Sequence, residues 1–149
     1  MTTFLKNRDM KFSFHLLLAC IALTACGESG KTTADYRIVP CPGEIAPGDG
    51  GDFELDARTR IICTGNNDGM RANAEFLAGY VESVVGSAPE ITGPDGLCDD
   101  GRAVILRADA PGKGGEAYEI EVSENRITVS GESDAGVFYG IQTLSLIHI

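Results

Sequence analysis

A run near the carboxyl end, Ser133–Leu144, restricts the possible folds more than any other part of the chain. It predicts a helix that begins at Ser133, because a serine hydroxyl can accept a hydrogen bond from a free amide of the first turn. Gly136 and Gly140 interrupt this helix, and each costs about 1 kcal/mol relative to alanine. Two such glycines predict that neighbouring backbone passes very close to the helix. The apolar residues at helical spacing are Val137, Phe138, Ile141 and Leu144.

The rest of the chain combines short strand patterns with one further helical pattern. Met70–Val85 has helical spacing, with Asn67 or Asp68 as its cap and Gly86 as its stop. Alternating or continuous apolar residues predict strands at Tyr36–Val39, Phe53–Leu55, Thr59–Cys63, Ala103–Leu106, Tyr118–Val122 and Ile127–Val129. This order predicts an α+β fold, in which a mixed β-sheet carries both helices on one face.

Two connections carry residues that favour turns. Glu124 and Asn125 predict a hairpin turn, with Asn125 at a positive φ. Ser87–Gly101 is rich in proline, glycine and aspartate, which predicts an irregular loop.

The amino-terminal residues have the pattern of a secretion signal. The basic residues Lys6, Arg8 and Lys11 precede an apolar run, Phe12–Leu23, that is shorter than a membrane span. Small residues then precede Cys26, which resembles the cleavage site of a bacterial lipoprotein. We therefore expect residues 1–25 to be a signal peptide, Cys26 to be lipidated, and 26–35 to be a flexible tether. The alternative is an ordinary secretory signal with an incidental cysteine.

The composition excludes several classes of partner. The net charge is −10, whereas nucleic-acid binding needs clustered lysine and arginine. Electrostatic docking on anionic lipid is disfavoured for the same reason. The leader and Cys26, rather than the charge, predict the location: the bacterial cell envelope, on the periplasmic or surface side, with the lipid on Cys26 as the membrane contact.

Catalytic and metal-binding patterns are missing from the sequence. The glycine-rich segment 111–115 lacks the serine or threonine of a phosphate-binding loop. The acidic residues Asp95, Asp99 and Asp100 lack the spacing of a calcium loop. His148 is the only histidine after the leader, which disfavours a Ser/His/Asp triad. We predict no catalytic residue, no metal site and no cofactor.

Three cysteines remain after the leader and the lipidation site: Cys41, Cys63 and Cys98. An oxidising compartment predicts one disulfide and one remaining thiol, and the sequence leaves the three pairings open. We prefer Cys63 with Cys98, since each borders a predicted core strand.

The run from Ala135 to Leu144, "AGVFYGIQTL", resembles the segment that joins the amino-terminal domain to the catalytic barrel in glycoside hydrolase family 20. "YRIVPCPGEI" (Tyr36–Ile45) is similar to the opening strand of that domain, and "EAYEIEVSENRITVSG" (Glu116–Gly131) to its closing hairpin. The resemblance implies an accessory α/β domain at 36–132 and a connecting helix at 133–149.

The same resemblance implies a β-N-acetylhexosaminidase that removes terminal N-acetylhexosamine from glycans. Its Asp-Glu pair lies in the barrel, so no catalytic residue carries over to this chain. The partners implied are the chain's own barrel, the glycan bound by that barrel, and the membrane at the lipid anchor.

We further expect a truncated reading frame, in which Ser145–Ile149 are foreign to the protein. Without the barrel that would cover it, the apolar face of the last helix should be exposed, and the chain should be marginally stable or prone to association. Two alternatives remain open: a self-standing lipoprotein that binds a glycan or a protein without catalysis, and the accessory domain of another glycosidase family.

Overall fold

The fold is that of a computed structural model. The structure describes residues 42–46, 48, 51–98, 101–110 and 114–147, and for Cys98 it describes the backbone but not the side chain. The predicted signal peptide, the lipidation site Cys26, the tether and the strand at Tyr36–Val39 all lie outside these residues. No helix within the described ranges has the length and apolar character that crossing a bilayer requires.

Within these ranges the chain forms a mixed five-stranded sheet in the order β2-β1-β3-β5-β4. β1, β2, β3 and β5 are parallel neighbours, whereas β4 pairs with β5 in the antiparallel direction. The strands are β1 Arg60–Cys63, β2 Ile91–Thr92, β3 Ala103–Arg107, β4 Tyr118–Val122 and β5 Arg126–Gly131. β3 occupies the centre and is buried except at its last residue, which confirms the central strand that its apolar run predicts.

Two α-helices follow strands, α1 at Asp68–Val85 after β1 and α2 at Asp134–Leu146 after β5. The Asn67 side chain caps α1 by accepting a hydrogen bond from Met70 N at 2.7 Å. Gly86 ends α1 in the left-handed conformation, with φ of 83°. Ser133 caps α2, because its Oγ accepts from Gly136 N at 3.3 Å. These three predictions are confirmed.

The main core lies between one face of the sheet and both helices. Val104, Leu106, Ile127 and Val129 are at most 1% exposed on that face. The residues of the helices in the same cluster are Met70, Ala74, Leu77, Val81, Val137, Ile141 and Leu144. A smaller cluster of Ile62, Ala103 and Ile105 lies on the opposite face. The predicted α+β arrangement, with both helices on one face, is confirmed.

Two segments differ from the predicted strands and loops. Phe53–Leu55 is not a strand, although Phe53 is 3% exposed and belongs to the main core. The alternation of apolar and polar residues in this segment arises because the Phe53 side chain packs in the core, not because the backbone pairs with a neighbouring strand. The predicted loop Ser87–Gly101 contains the short strand β2 and a 3-10 helix, Pro94–Cys98. β2 forms because Ile91 and Thr92 pair with the edge of β1.

The hairpin between β4 and β5 has a different turn from the one predicted. Ser123 N donates to Arg126 O at 2.8 Å, and Ser123 Oγ donates to the same oxygen at 2.9 Å. No described residue other than glycine has a positive φ, so the expected conformation of Asn125 is wrong. These two hydrogen bonds from Ser123 close the turn without a left-handed residue.

Candidate functional site

The inner side of α2 approaches the rest of the domain very closely. A Cβ added at Gly136 would overlap the carbonyl oxygen of Ala117, and one added at Gly140 would lie 2.5 Å from Val129 Cγ1. The predicted close approach of backbone is confirmed at Gly136, whereas Gly140 meets a side chain. Gly131 of β5, which the sequence analysis missed, contributes to the same contact, since a Cβ there would lie 2.7 Å from Val137 N.

The apolar residues beside these glycines are buried within the domain itself. Val137 and Ile141 are 0% exposed and Leu144 is 3% exposed. They pack on the sheet, where α2 lies against β4 and β5. The expectation that this face lacks a partner is therefore wrong for these three residues. Phe138, predicted to share their face, is only half-buried, because it points away from the stripe that carries Gly136 and Gly140.

The outer side of α2 is apolar as well, but it is exposed. Tyr139 is 43% exposed and Leu146 is 51% exposed. Ala135 and Gln142 are also exposed, and no charged residue follows Asp134 in this helix. A surface helix normally carries charged residues on the side that faces solvent. We call the surface formed by Ala135, Phe138, Tyr139, Gln142 and Leu146 the outer face.

A groove of about 470 Å³ separates the amino ends of α1 and α2 and continues the outer face. Phe76 of α1 is 48% exposed there, and its ring centroid lies 5.5 Å from that of Phe138. Phe138 in turn contacts Tyr139, with the centroids 5.9 Å apart. The groove is lined by Gly69, Ala72, Asn73, Phe76, Asp134, Ala135 and Phe138.

Polar contacts fix the two helices beside each other along the groove. Asn73 is 6% exposed and donates from Nδ2 to the backbone oxygen of Asp134 at 2.8 Å. Asn67 donates from Nδ2 to Asp134 Oδ1 at 3.2 Å. At the other end, Tyr80 Oη donates to Ser145 O at 3.0 Å. The helices run parallel, since hydrogen bonds join their amino ends and also their later turns.

Two carboxyl groups elsewhere have shifted pKa values. The backbone N–H of Arg58 is the main cause that lowers the pKa of Asp56, and Arg102, 3.0 Å away, adds to it. The hydrogen bond from Arg107, at 2.9 Å, lowers the pKa of Asp109. An acid catalyst of glycoside cleavage needs a raised pKa, so these two groups have the opposite character.

Of the predicted cysteine pair, the structure describes the side chain of Cys63 but not that of Cys98. Cys63 is a buried free thiol on the helix-covered face, where its Sγ donates to Gly65 O at 3.3 Å. The 3-10 helix that contains Cys98 lies against Ile62, whose side chain points to the other face. The side chains of Cys98 and Cys41 lie outside the described residues. The pairing of Cys63 with Cys98 therefore stays a prediction, and the alternation of β1 disfavours it.

The structure thus divides the predicted helix residues between two surfaces. Gly136, Val137, Gly140, Ile141 and Leu144 serve the domain's own core, and only Phe138 borders the groove. The contribution of α1 to the groove was not predicted, and its signal in the sequence is the aromatic residue Phe76 next to the charged residue Glu75. Within the described ranges, no group of three or more histidine, cysteine or acidic side chains could hold a metal ion.

Comparison with solved structures identifies relatives of this architecture. A family 20 β-N-acetylhexosaminidase from Streptomyces coelicolor A3(2) matches with a TM-score of 0.64 and 23% identity, over 76% of this chain and 22% of that one. An N-acetyl-β-hexosaminidase from Streptomyces plicatus matches with a TM-score of 0.61 and 22% identity, over 78% of this chain and 22% of that one. At such identities the likeness establishes the fold. The chain thus spans about a fifth of the length of these enzymes.

Sequence comparisons add the family. No curated protein matches the chain. The sequence model described as "Glycosyl hydrolase family 20, domain 2" matches residues 35–148, which is most of the chain. The protein whose helices and sheet are described above therefore belongs to glycosyl hydrolase family 20, and it contains domain 2 of that family.

Proposed function

We propose that this chain is the non-catalytic amino-terminal domain of a β-N-acetylhexosaminidase, an enzyme that removes terminal N-acetylhexosamine from glycans. The observation that carries the proposal is the match of residues 35–148 to domain 2 of the family. The solved relatives are hexosaminidases of which the matched part is 22% of the chain. Hydrolysis would then be the task of a separate catalytic barrel in the same polypeptide.

In this proposal the domain packs against the catalytic barrel through the outer face of α2. The inner side of α2 is already used by the sheet, so the barrel would contact Tyr139 and the groove beside Phe138. Covering these side chains removes apolar surface from water, which is the main favourable contribution to domain association.

We propose, in addition, that the lipid on Cys26 fixes the enzyme to a membrane of the bacterial cell envelope. The basic residues, the short apolar run and the small residues before Cys26 support this proposal. Growth of the expressing bacterium with labelled palmitate is expected to label the wild-type protein and to leave the Cys26→Ser variant unlabelled. Equal labelling of both would contradict the anchor.

The activity is tested by sequencing the gene beyond the codon for Leu144 and by expressing the complete product. We expect the frame to encode a barrel with an adjacent Asp-Glu pair, and the product to cleave a chromogenic N-acetyl-β-glucosaminide. The 149-residue chain in the same assay should be inactive. A complete product without such a barrel would contradict the proposal and favour a lipoprotein that binds without catalysis.

A further inference from the structure

We infer that the groove between the amino ends of α1 and α2 receives a bulky apolar side chain of the catalytic domain, with a hydrogen-bond donor beside it for the carboxylate of Asp134. This inference rests on the proposed function, because the occupant is the barrel of the same polypeptide. It goes beyond the proposal by specifying where the contact is centred and what chemistry the barrel presents there.

The walls of the groove favour an apolar occupant. Phe76 and Phe138, whose rings touch with their centroids 5.5 Å apart, form one wall, and the small residues Ala72 and Ala135 leave the space beside the rings unfilled. Phe76 is 48% exposed, although a large aromatic ring on a helix surface normally finds cover. Bulky side chains in pockets of this kind are the usual centres of protein–protein contacts.

Asn73 and one carboxylate oxygen of Asp134 are already hydrogen-bonded within the groove, and the few polar atoms that remain disfavour a sugar as the occupant. Asn73 Nδ2 donates a hydrogen bond to the backbone oxygen of Asp134, and Asp134 Oδ1 accepts one from Asn67 Nδ2. A sugar site needs several free donors and acceptors that converge on the ligand. Instead, the groove continues without charge along α2 to Tyr139 and Leu146, as an extended protein contact requires.

Asp134 sets the charge of the groove. It is the only charged residue among the seven that line it. A carboxylate that loses its water when the groove is covered must gain a hydrogen bond in return. The surface of the barrel therefore has to present a donor at this point, such as an arginine, lysine or tyrosine side chain, beside the inserted apolar group.

Thiol labelling measures whether the groove is covered. Ala72→Cys places a small reactive probe on its wall, and Glu121→Cys places a control thiol on exposed β4. In the complete polypeptide, Ala72→Cys should react with a maleimide at least about tenfold more slowly than Glu121→Cys, since only opening of the contact exposes it. In the 149-residue chain both should react at similar rates. Mass spectrometry of peptides separates these thiols from the native cysteines.

Loss of the ring measures how much the groove contributes. In the complete polypeptide, Phe76→Ser should lower the melting temperature of this domain by about 3 °C. Leu97→Ser removes a side chain of similar exposure from the 3-10 helix and should leave the melting temperature unchanged.

The outcomes separate the inference from the proposed function. An active polypeptide with equal labelling at both thiols, or with equal effects of Phe76→Ser and Leu97→Ser, would overturn the inference alone. A polypeptide without a catalytic barrel would overturn both. Slow labelling of Ala72→Cys in the 149-residue chain by itself would identify a second copy of the chain as the occupant of the groove. Slow labelling only after addition of N-acetylglucosamine oligomers would identify a glycan as the occupant. Either result would overturn the inference.

Discussion

The two helices of this domain lie side by side on the same sheet but have different surfaces. α1 buries Met70, Leu77 and Val81 and turns charged residues such as Glu75 and Glu82 toward solvent, as a surface helix does. α2 also buries one side, yet its other side shows Tyr139 and Leu146 and no charge. α1 interrupts its charged surface with Phe76 and Val84, which are 48% and 59% exposed, whereas the outer side of α2 carries no charge at all.

The inner and outer sides of α2 should respond most differently to truncation. Ile141→Ala leaves a cavity in the core, so it should lower the free energy of unfolding by about 3 kcal/mol. Tyr139→Ala on the outer side should change it by less than about 0.5 kcal/mol. Urea denaturation of the 149-residue chain provides both values. Similar losses would mean that the outer side is packed within the domain.

Glycine substitutions compare the helices directly. Gly136→Ala forces a Cβ against the carbonyl of Ala117, so it should destabilise the chain by about 2 kcal/mol. Gly79→Ala on α1 meets no atom within 4 Å and should stabilise the chain by about 0.5–1 kcal/mol. The same denaturation experiment gives both values. A stable Gly136→Ala variant would show that α2 is not held tightly on the sheet.

The bonds between the helices should make a smaller contribution. Asn67→Ala removes the cap on Met70 N and the bond to Asp134, so it should lower the free energy of unfolding by about 1 kcal/mol. Asn66→Ala changes an exposed neighbour and serves as the control. If both variants unfold at the same urea concentration, Asn67 does not link α1 to α2.

Acid should have the smallest effect, and it acts away from both helices. The pKa of Asp56 is lowered from 3.8, chiefly by the backbone N–H of Arg58. A lowered pKa in the folded state adds stability that is present above 3.8 and is lost as the pH falls below that value. The difference in stability between wild type and Asp56→Asn should therefore shrink below pH 3.8. A difference that is constant from pH 6 to pH 3 would show that Asp56 does not contribute to the loss of stability in acid.

Local chemistry explains which features could be predicted. The caps Asn67 and Ser133 and the stop at Gly86 follow from hydrogen bonds within a few residues, and all three occur as expected. The apolar run of β3 marks a central strand for a similar reason, because few surroundings suit four consecutive buried residues. Phe53 was misassigned as part of a strand, since its alternation has no partner strand to confirm it.

The sequence by itself determined the helices, the central strand, the family and the lack of charge on α2. Only the tertiary structure decided which side of α2 faces the sheet and which stays exposed. A helix that is apolar all round has no charged stripe to mark its outer side, so periodicity alone placed Phe138 with Val137 and Ile141. The sheet separates them, because only the stripe with Gly136 and Gly140 lets the helix come close enough to pack.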